Sequence, residues 1–146
     1  MDAAATPPVD PATVAAHMFA ADRASRGLGM KIVGVAAGSA TLTMTVREDM
    51  LNGHDICHGG FITTLADSAF AFACNSANQL TVAAAIAVDF IAPAQEGDRL
   101  TAEAHELSLS GRTGVYDVKV LNQEGVLVAV LRGRSHRLKD KQVVPM

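Results

Sequence analysis

The sequence predicts an α+β domain in which one long apolar helix is wrapped by a single curved antiparallel sheet, with a shorter helix in front. Three observations predict it. The elements run helix, two strands, a long helix, then three or four strands, without βαβ alternation. Short turns link the later strands, which favours antiparallel pairing. The long helix, residues 61–78, carries a single charged side chain, Asp67, beside Leu65, Ala66, Ala69 and Phe70. A length of 146 residues fits one domain spanning 1–146.

Residues 1–9 are small and proline-bearing and read as a loose arm. Asp10-Pro11 starts a helix, a cap followed by proline at the first helical position. That helix runs through Val14, Met18 and Phe19 and is expected to stop near Gly27. Residues 30–36 read as a strand, and Gly38-Ser39 as a turn. From 41 to 46 the chain alternates, Thr41, Thr43 and Thr45 on one face and Leu42, Met44 and Val46 on the other, the pattern of a half-buried strand. Residues 48–60 are irregular and contain Asn52-Gly53-His54-Asp55 and His58-Gly59-Gly60. After the long helix come strands at 82–91, 100–109 and 114–121, separated by Pro93 with Gly97-Asp98 and by Gly111-Arg112-Thr113. Gln123-Glu124-Gly125 turns into a last strand at 126–137, and the polar tail 139–146 is expected to fray.

Composition excludes several classes. Apolar residues make up 49% and charged ones 18%, the reverse of a disordered chain. A net charge of −3 leaves no basic surplus for phosphates, which argues against nucleic acid as a partner. So few charges cover a monomer's surface poorly, and a homo-oligomer is expected. No apolar run reaches the ~18 residues needed to span a membrane. Residues 1–10 lack the basic and apolar regions of a secretory signal. Cys57 and Cys74 are too few for a disulfide framework and lack zinc spacing. A reduced, cytoplasmic protein without a metal is expected.

Two features carry chemistry. Asp67 is a carboxylate on an apolar helix; if water is scarce there it is a stronger base or nucleophile. The plainer reading is a thin polar stripe shared with Thr63, Thr64, Ser68, Asn75 and Asn78. His58-Gly59-Gly60 stands where the helix begins. A helix N-terminus offers unpaired N–H groups, glycine lets a ligand approach them, and a carbonyl oxygen gaining charge suits that site. The plainer reading is a glycine turn. Eight residues separate Gly59 from Asp67, ~12 Å of helical rise at ~1.5 Å per residue. Base and donor must both sit within about 3 Å of the reacting group. One chain therefore cannot bring both to one site, whereas two antiparallel helices across a dimer can. Asn52 offers an amide donor or a turn; His58 orients the loop or donates. Cys57-His58 has the residue types of a nucleophile and base, but adjacent residues rarely face one another. Arg132 and Arg134 share a strand face. With Arg112 they are either a phosphate patch or the charges that protect an edge strand.

Leu51-Asn52-Gly53-His54, Cys57-His58-Gly59-Gly60, Leu65-Ala66-Asp67, Val88-Asp89-Phe90 with Pro93, Gly97-Asp98, Gly114-Val115-Tyr116-Asp117 and Arg132-Gly133 with Ser135-His136 resemble the hotdog-fold acyl-CoA thioesterases. Within them the likeness is strongest to the PaaI-type enzymes of phenylacetic acid degradation, over residues 29–137. The resemblance implies a hotdog fold paired as a dimer with shared active sites, commonly a tetramer. It implies hydrolysis of an aryl-acetyl-CoA such as phenylacetyl-CoA or a ring-hydroxylated relative. Asp67 matches the catalytic carboxylate, as nucleophile or as base for water. Gly59 matches the residue whose backbone N–H polarises the thioester carbonyl, and Asn52 and His58 match the loop beside it. Gly60, Arg112 and Arg134 are the candidate CoA contacts. CoA enters as part of the substrate, and no separate cofactor is expected. One departure stands out. Some relatives carry a hydroxyl on the strand after the long helix, where residues 82–87 have none. Thr81, Thr63, Thr64 and Ser68 remain as candidates to hold water, and the alanines, Ala85 among them, are expected to widen the acyl pocket. The alternatives are a hotdog hydratase or dehydratase using His58 and Asp67, a non-catalytic acyl-CoA-binding module, or a structural oligomer.

Overall fold

The longest helix, α3 (Gly59–Cys74), lies along the concave face of one six-stranded sheet. The computed structural model describes residues 8–145. Of the arm expected at 1–9, residues 1–7 lie outside the described residues, as does residue 146 of the tail. The strands are β1 (Lys31–Ala36), β2 (Ser39–Thr45), β3 (Gln79–Phe90), β4 (Arg99–Ser110), β5 (Thr113–Leu121) and β6 (Leu127–Gln142). They run in the order β1-β2-β4-β5-β6-β3, antiparallel throughout. This is the wrapped-helix architecture of the hotdog fold.

Packing follows the sequence pattern. Ile62, Leu65, Ala66, Ala69, Phe70 and Ala73 of α3 are buried against Leu42 and Met44 of β2, Leu100 and Ala102 of β4, Val118 of β5 and Leu131 of β6. Each fully buried large apolar side chain stabilises the fold by roughly 1.5–3 kcal/mol. Gly133 lets the helix reach the sheet, because a Cβ there would lie 2.8 Å from the Phe70 ring. In β2 the three threonines alternate with buried Leu42 and Met44, and Val46 just beyond the strand is buried too, as the alternation requires.

The elements depart from the sequence reading in three places, each for a tertiary reason. The first helix breaks at Asp22 into α1 (Pro11–Ala21) and α2 (Arg23–Gly27). Asp22 caps the second piece by accepting the Ser25 N–H at 2.9 Å. Helix α3 starts at Gly59 and ends at Cys74 rather than at 78. Asn75 ends it by bridging to Thr81: its Nδ2 donates to the Thr81 carbonyl at 3.0 Å and its Oδ1 accepts the Thr81 N–H at 2.9 Å. Strand β6 continues to Gln142 instead of fraying at 139, since it pairs with β3 as far as Gln79.

Edge strand β3 is exposed over most of its length. Val82, Ile86 and Phe90 are 46%, 42% and 55% accessible, an uncommon apolar content for a free sheet edge.

Candidate active site

The loop before α3 is held by Asn52. Its Oδ1 accepts the His54 N–H at 2.8 Å, and its own N–H donates to the Ile56 carbonyl at 2.8 Å. The turn reading of Asn52 is therefore correct, yet it uses only the carbonyl half of the side chain. The Nδ2 hydrogens make no hydrogen bond among the described residues. His58 is the N-cap of α3, its Nδ1 accepting the Gly60 N–H at 2.9 Å. The Gly60 amide is thus committed to His58 and is closed to a ligand. The Gly59 N–H, by contrast, has no acceptor among the described residues. It stands at the positive end of a 16-residue helix. Gly59 and Asn52 line one cavity of about 590 Å³ with Cys57, Phe90, Ile91 and Pro93.

The nucleophile reading of Cys57 fails on its surroundings. Burial pushes its thiol up to about 11, helped by the Asp98 charge. The nitrogen of His58 that would have to take the proton is occupied.

Asp67 sits on the same unbroken helix, eight residues on and ~12 Å along the axis. It lines a different cavity, of about 290 Å³, walled by Met18, Phe70, Leu80, Val82 and Val143. The Asp67 carboxylate makes no hydrogen bond or ion pair among the described residues. Loss of hydration raises its pKa above the usual carboxylate range. The side-chain hydrogens that line the cavity are already spent among the described residues. Asn75 donates to the carbonyls of Ala71 and Thr81, Thr81 Oγ1 to the Gln79 carbonyl, and Cys74 to the Ala71 carbonyl.

Of the hydroxyls considered for holding water, Thr63 and Thr64 donate to their own helix, at Gly59 and Gly60, and Ser68 pairs with Ser25. Thr81 alone of the four lines the Asp67 cavity, with its lone pairs free to accept a water proton. The alanine run divides: Ala83 lines the Asp67 cavity, whereas Ala85 and Ala87 line a shallow groove beside Arg132 and Arg134. Ala85 does not widen the Asp67 cavity of its own protomer.

A Thioesterase superfamily model matches residues 54–129, a span that contains both Gly59 and Asp67. The acyl-coenzyme A thioesterase PaaI of Escherichia coli K12 is 46% identical over 121 residues, covering 83% of this chain and 86% of that protein. The chain belongs to the thioesterase superfamily. The E. coli PaaI structure, from the phenylacetic acid degradation operon, superposes with a TM-score of 0.87 at 44% identity over 88% of this chain and 93% of that one. A variant of the Thermus thermophilus phenylacetic acid degradation protein PaaI superposes with a TM-score of 0.77 at 41% identity, over 80% of this chain and 100% of that one. This protein is a PaaI-like acyl-CoA thioesterase with the hotdog fold.

The arginines singled out in the sequence do not form one patch. Arg132 is paired with Asp117 and so is not free for an anion. Arg134 and Arg112 make no side-chain hydrogen bond among the described residues, and both are exposed. Arg134 is in register with Val115, and the Arg112 carbonyl meets the Arg137 N–H at 2.8 Å. Three residues of strand separate the two positions, ~10 Å at ~3.3 Å each. What sequence reasoning missed is that Met18 and Val143 reach the Asp67 cavity; no local pattern marks either.

Proposed function

We propose that this thioesterase hydrolyses aryl-acetyl-CoA thioesters, phenylacetyl-CoA or a ring-hydroxylated relative, to the free acid and CoA. The observation that carries the reading is the separation of its two half-sites. Unpaired donors stand at the start of α3, and a desolvated carboxylate stands in another cavity of the same protomer. Two chains related by a twofold axis, with their α3 helices antiparallel, bring Gly59 of one to Asp67 of the other. The apolar β3 edge is the surface that such a dimer buries, and two dimers make a tetramer. The Gly59 N–H, assisted by Asn52 Nδ2, takes the growing charge on the thioester oxygen. Asp67 attacks the carbonyl carbon itself or removes a proton from the attacking water. Either route breaks the C–S bond, adds the elements of water and releases the CoA thiol. His58 serves by capping the helix that presents Gly59. Arg134 and Arg112 are the cations proposed to meet the CoA phosphates. Buried reduced cysteines and a CoA substrate fit a cytoplasmic place of work.

The test is thiol release from phenylacetyl-CoA, acetyl-CoA and a long-chain acyl-CoA by the wild type and by Asp67→Asn. Fast release from the aryl substrate, cut at least about 10²-fold in the variant, is expected. No release from any thioester, or a fully active variant, overturns the reading.

A further inference from the structure

The family-matched stretch 54–129 contains Asp67 and most of the residues that line its cavity, but not all of them. Two segments outside that stretch meet there: Met18 from α1 and Val143 from just beyond β6. Both segments are tied down by side-chain hydrogen bonds across long stretches of sequence. On the first side Asp22 accepts the Ser25 hydroxyl at 2.6 Å. Ser25 Oγ in turn shares a 2.8 Å hydrogen bond with Ser68 Oγ, the residue next to Asp67. Ser25 and Ser68 are buried, so this link is not exchanged for water. On the other side Asn78 Nδ2 donates to the Val144 carbonyl at 3.0 Å, and Asn78 Oδ1 accepts the Val144 N–H at 2.8 Å. Asn78 adopts a left-handed backbone, φ 61°, which turns the chain at the start of β3 where this pairing is made.

We infer that these two terminal segments roof the acyl pocket and that Met18 and Val143 determine which acyl groups the enzyme accepts. The inference rests on the reading of Asp67 as the catalytic carboxylate. The cavity holds about 290 Å³. An apolar cavity of ~150 Å³ suffices for benzene, so a single aromatic ring with its methylene fits with room to spare, and a second fused ring nearly fills the cavity and presses on all its walls, Met18 and Val143 included. The floor, Phe70 and Ala71, belongs to the rigid core helix and cannot yield. The roof is built from side chains at the two ends of the chain, so it is the part that can be resized without disturbing α3.

The experiment measures kcat/KM for phenylacetyl-CoA and 2-naphthylacetyl-CoA with the wild type, Met18→Ala and Val143→Ala. The ratio of the two substrates on one preparation is independent of the folded fraction, so lost stability does not move it. Val143→Ala, outside the strands, keeps the test open should Met18→Ala fold poorly. A shift of the ratio toward the naphthyl substrate of at least about tenfold is expected with Met18→Ala, and a smaller one with Val143→Ala. An unchanged ratio in the folded variants overturns the inference. If the wild type releases no thiol from any thioester, the thioesterase reading itself fails. The roof is then judged by titration with the stable thioethers S-phenacyl-CoA and S-(2-naphthacyl)-CoA. A tenfold shift in their affinity ratio supports it; an unchanged ratio in all three proteins, or no binding, overturns it.

Discussion

The first turn of α3 and its third turn form two cavities of opposite chemistry. Around Gly59 there are unused donors, the Gly59 N–H and Asn52 Nδ2, and no lining carboxylate among the described residues. Around Asp67 there is a carboxylate, and among the described residues the side-chain hydrogens of Asn75, Thr81 and Cys74 that line the cavity are already bonded to backbone. A centre for acyl transfer needs both within reach of one carbonyl. If the proposed roles hold, each half is idle alone. On the proposed reading helix pitch, and not a missing residue, leaves the protomer incomplete: ~12 Å along one rigid helix cannot be folded shorter.

The sharpest way to break this comparison is subunit mixing. Asp67→Asn removes one half-site and Asn52→Ala removes a donor from the other. Each alone is expected to lower thiol release about 10²-fold. If sites are shared, a 1:1 mixture that exchanges subunits contains mixed dimers in which one site carries both defects and the other carries neither. Activity should return to about one quarter of the wild-type value at random pairing. A mixture no more active than its parents would put both halves in one chain.

A smaller effect probes the donor side by itself. A Cβ on Gly59 would lie 2.9 Å from the Phe90 ring. Phe90 is 55% exposed in the single protomer, so the chain's own packing lets its ring swing aside. The swing moves a wall of the donor cavity and tilts the approach to the Gly59 N–H. Gly59→Ala should therefore keep its melting temperature within a few degrees and lose activity about tenfold. Equal losses of stability and activity would mean that Gly59 matters to packing rather than to the carbonyl.

The sequence disclosed these halves unequally. Asp10-Pro11, the threonine alternation of β2 and the apolar run around Asp67 each carry a local signal, and each element stands where that signal places it. So does the Gly59-to-Asp67 spacing, since a single unbroken helix holds both. What was illegible depends on partners far away in sequence. The break at Asp22 is secured through Ser25 by Ser68, the end of α3 by Asn75 reaching Thr81, and the extension of β6 by its pairing with β3. A polar tail from 139 reads as frayed until the edge it pairs with is known. For the same reason neither Met18 nor Val143 announced itself as a wall of the Asp67 cavity.

The smallest predicted effect sharpens the carboxylate side. Burial raises the Asp67 pKa above its ordinary value of 3.8. As pH falls, the folded protein takes up this proton before the unfolded chain does. The stability so gained is complete below about 3.8 and is lost as pH rises through the folded value. At pH 7 the charged side chain is therefore a burden on the fold, which Asp67→Asn relieves. The variant should melt higher at neutral pH, each kcal/mol appearing as about 2–4 °C. The gain should shrink on acidification toward pH 4. The acid limb of kcat/KM in the wild type should lie above the ordinary aspartate range for the same reason. A variant that melts lower at pH 7 would mean that the assembled enzyme already satisfies the carboxylate. The donors of the facing subunit would then reach Asp67 before any substrate arrives.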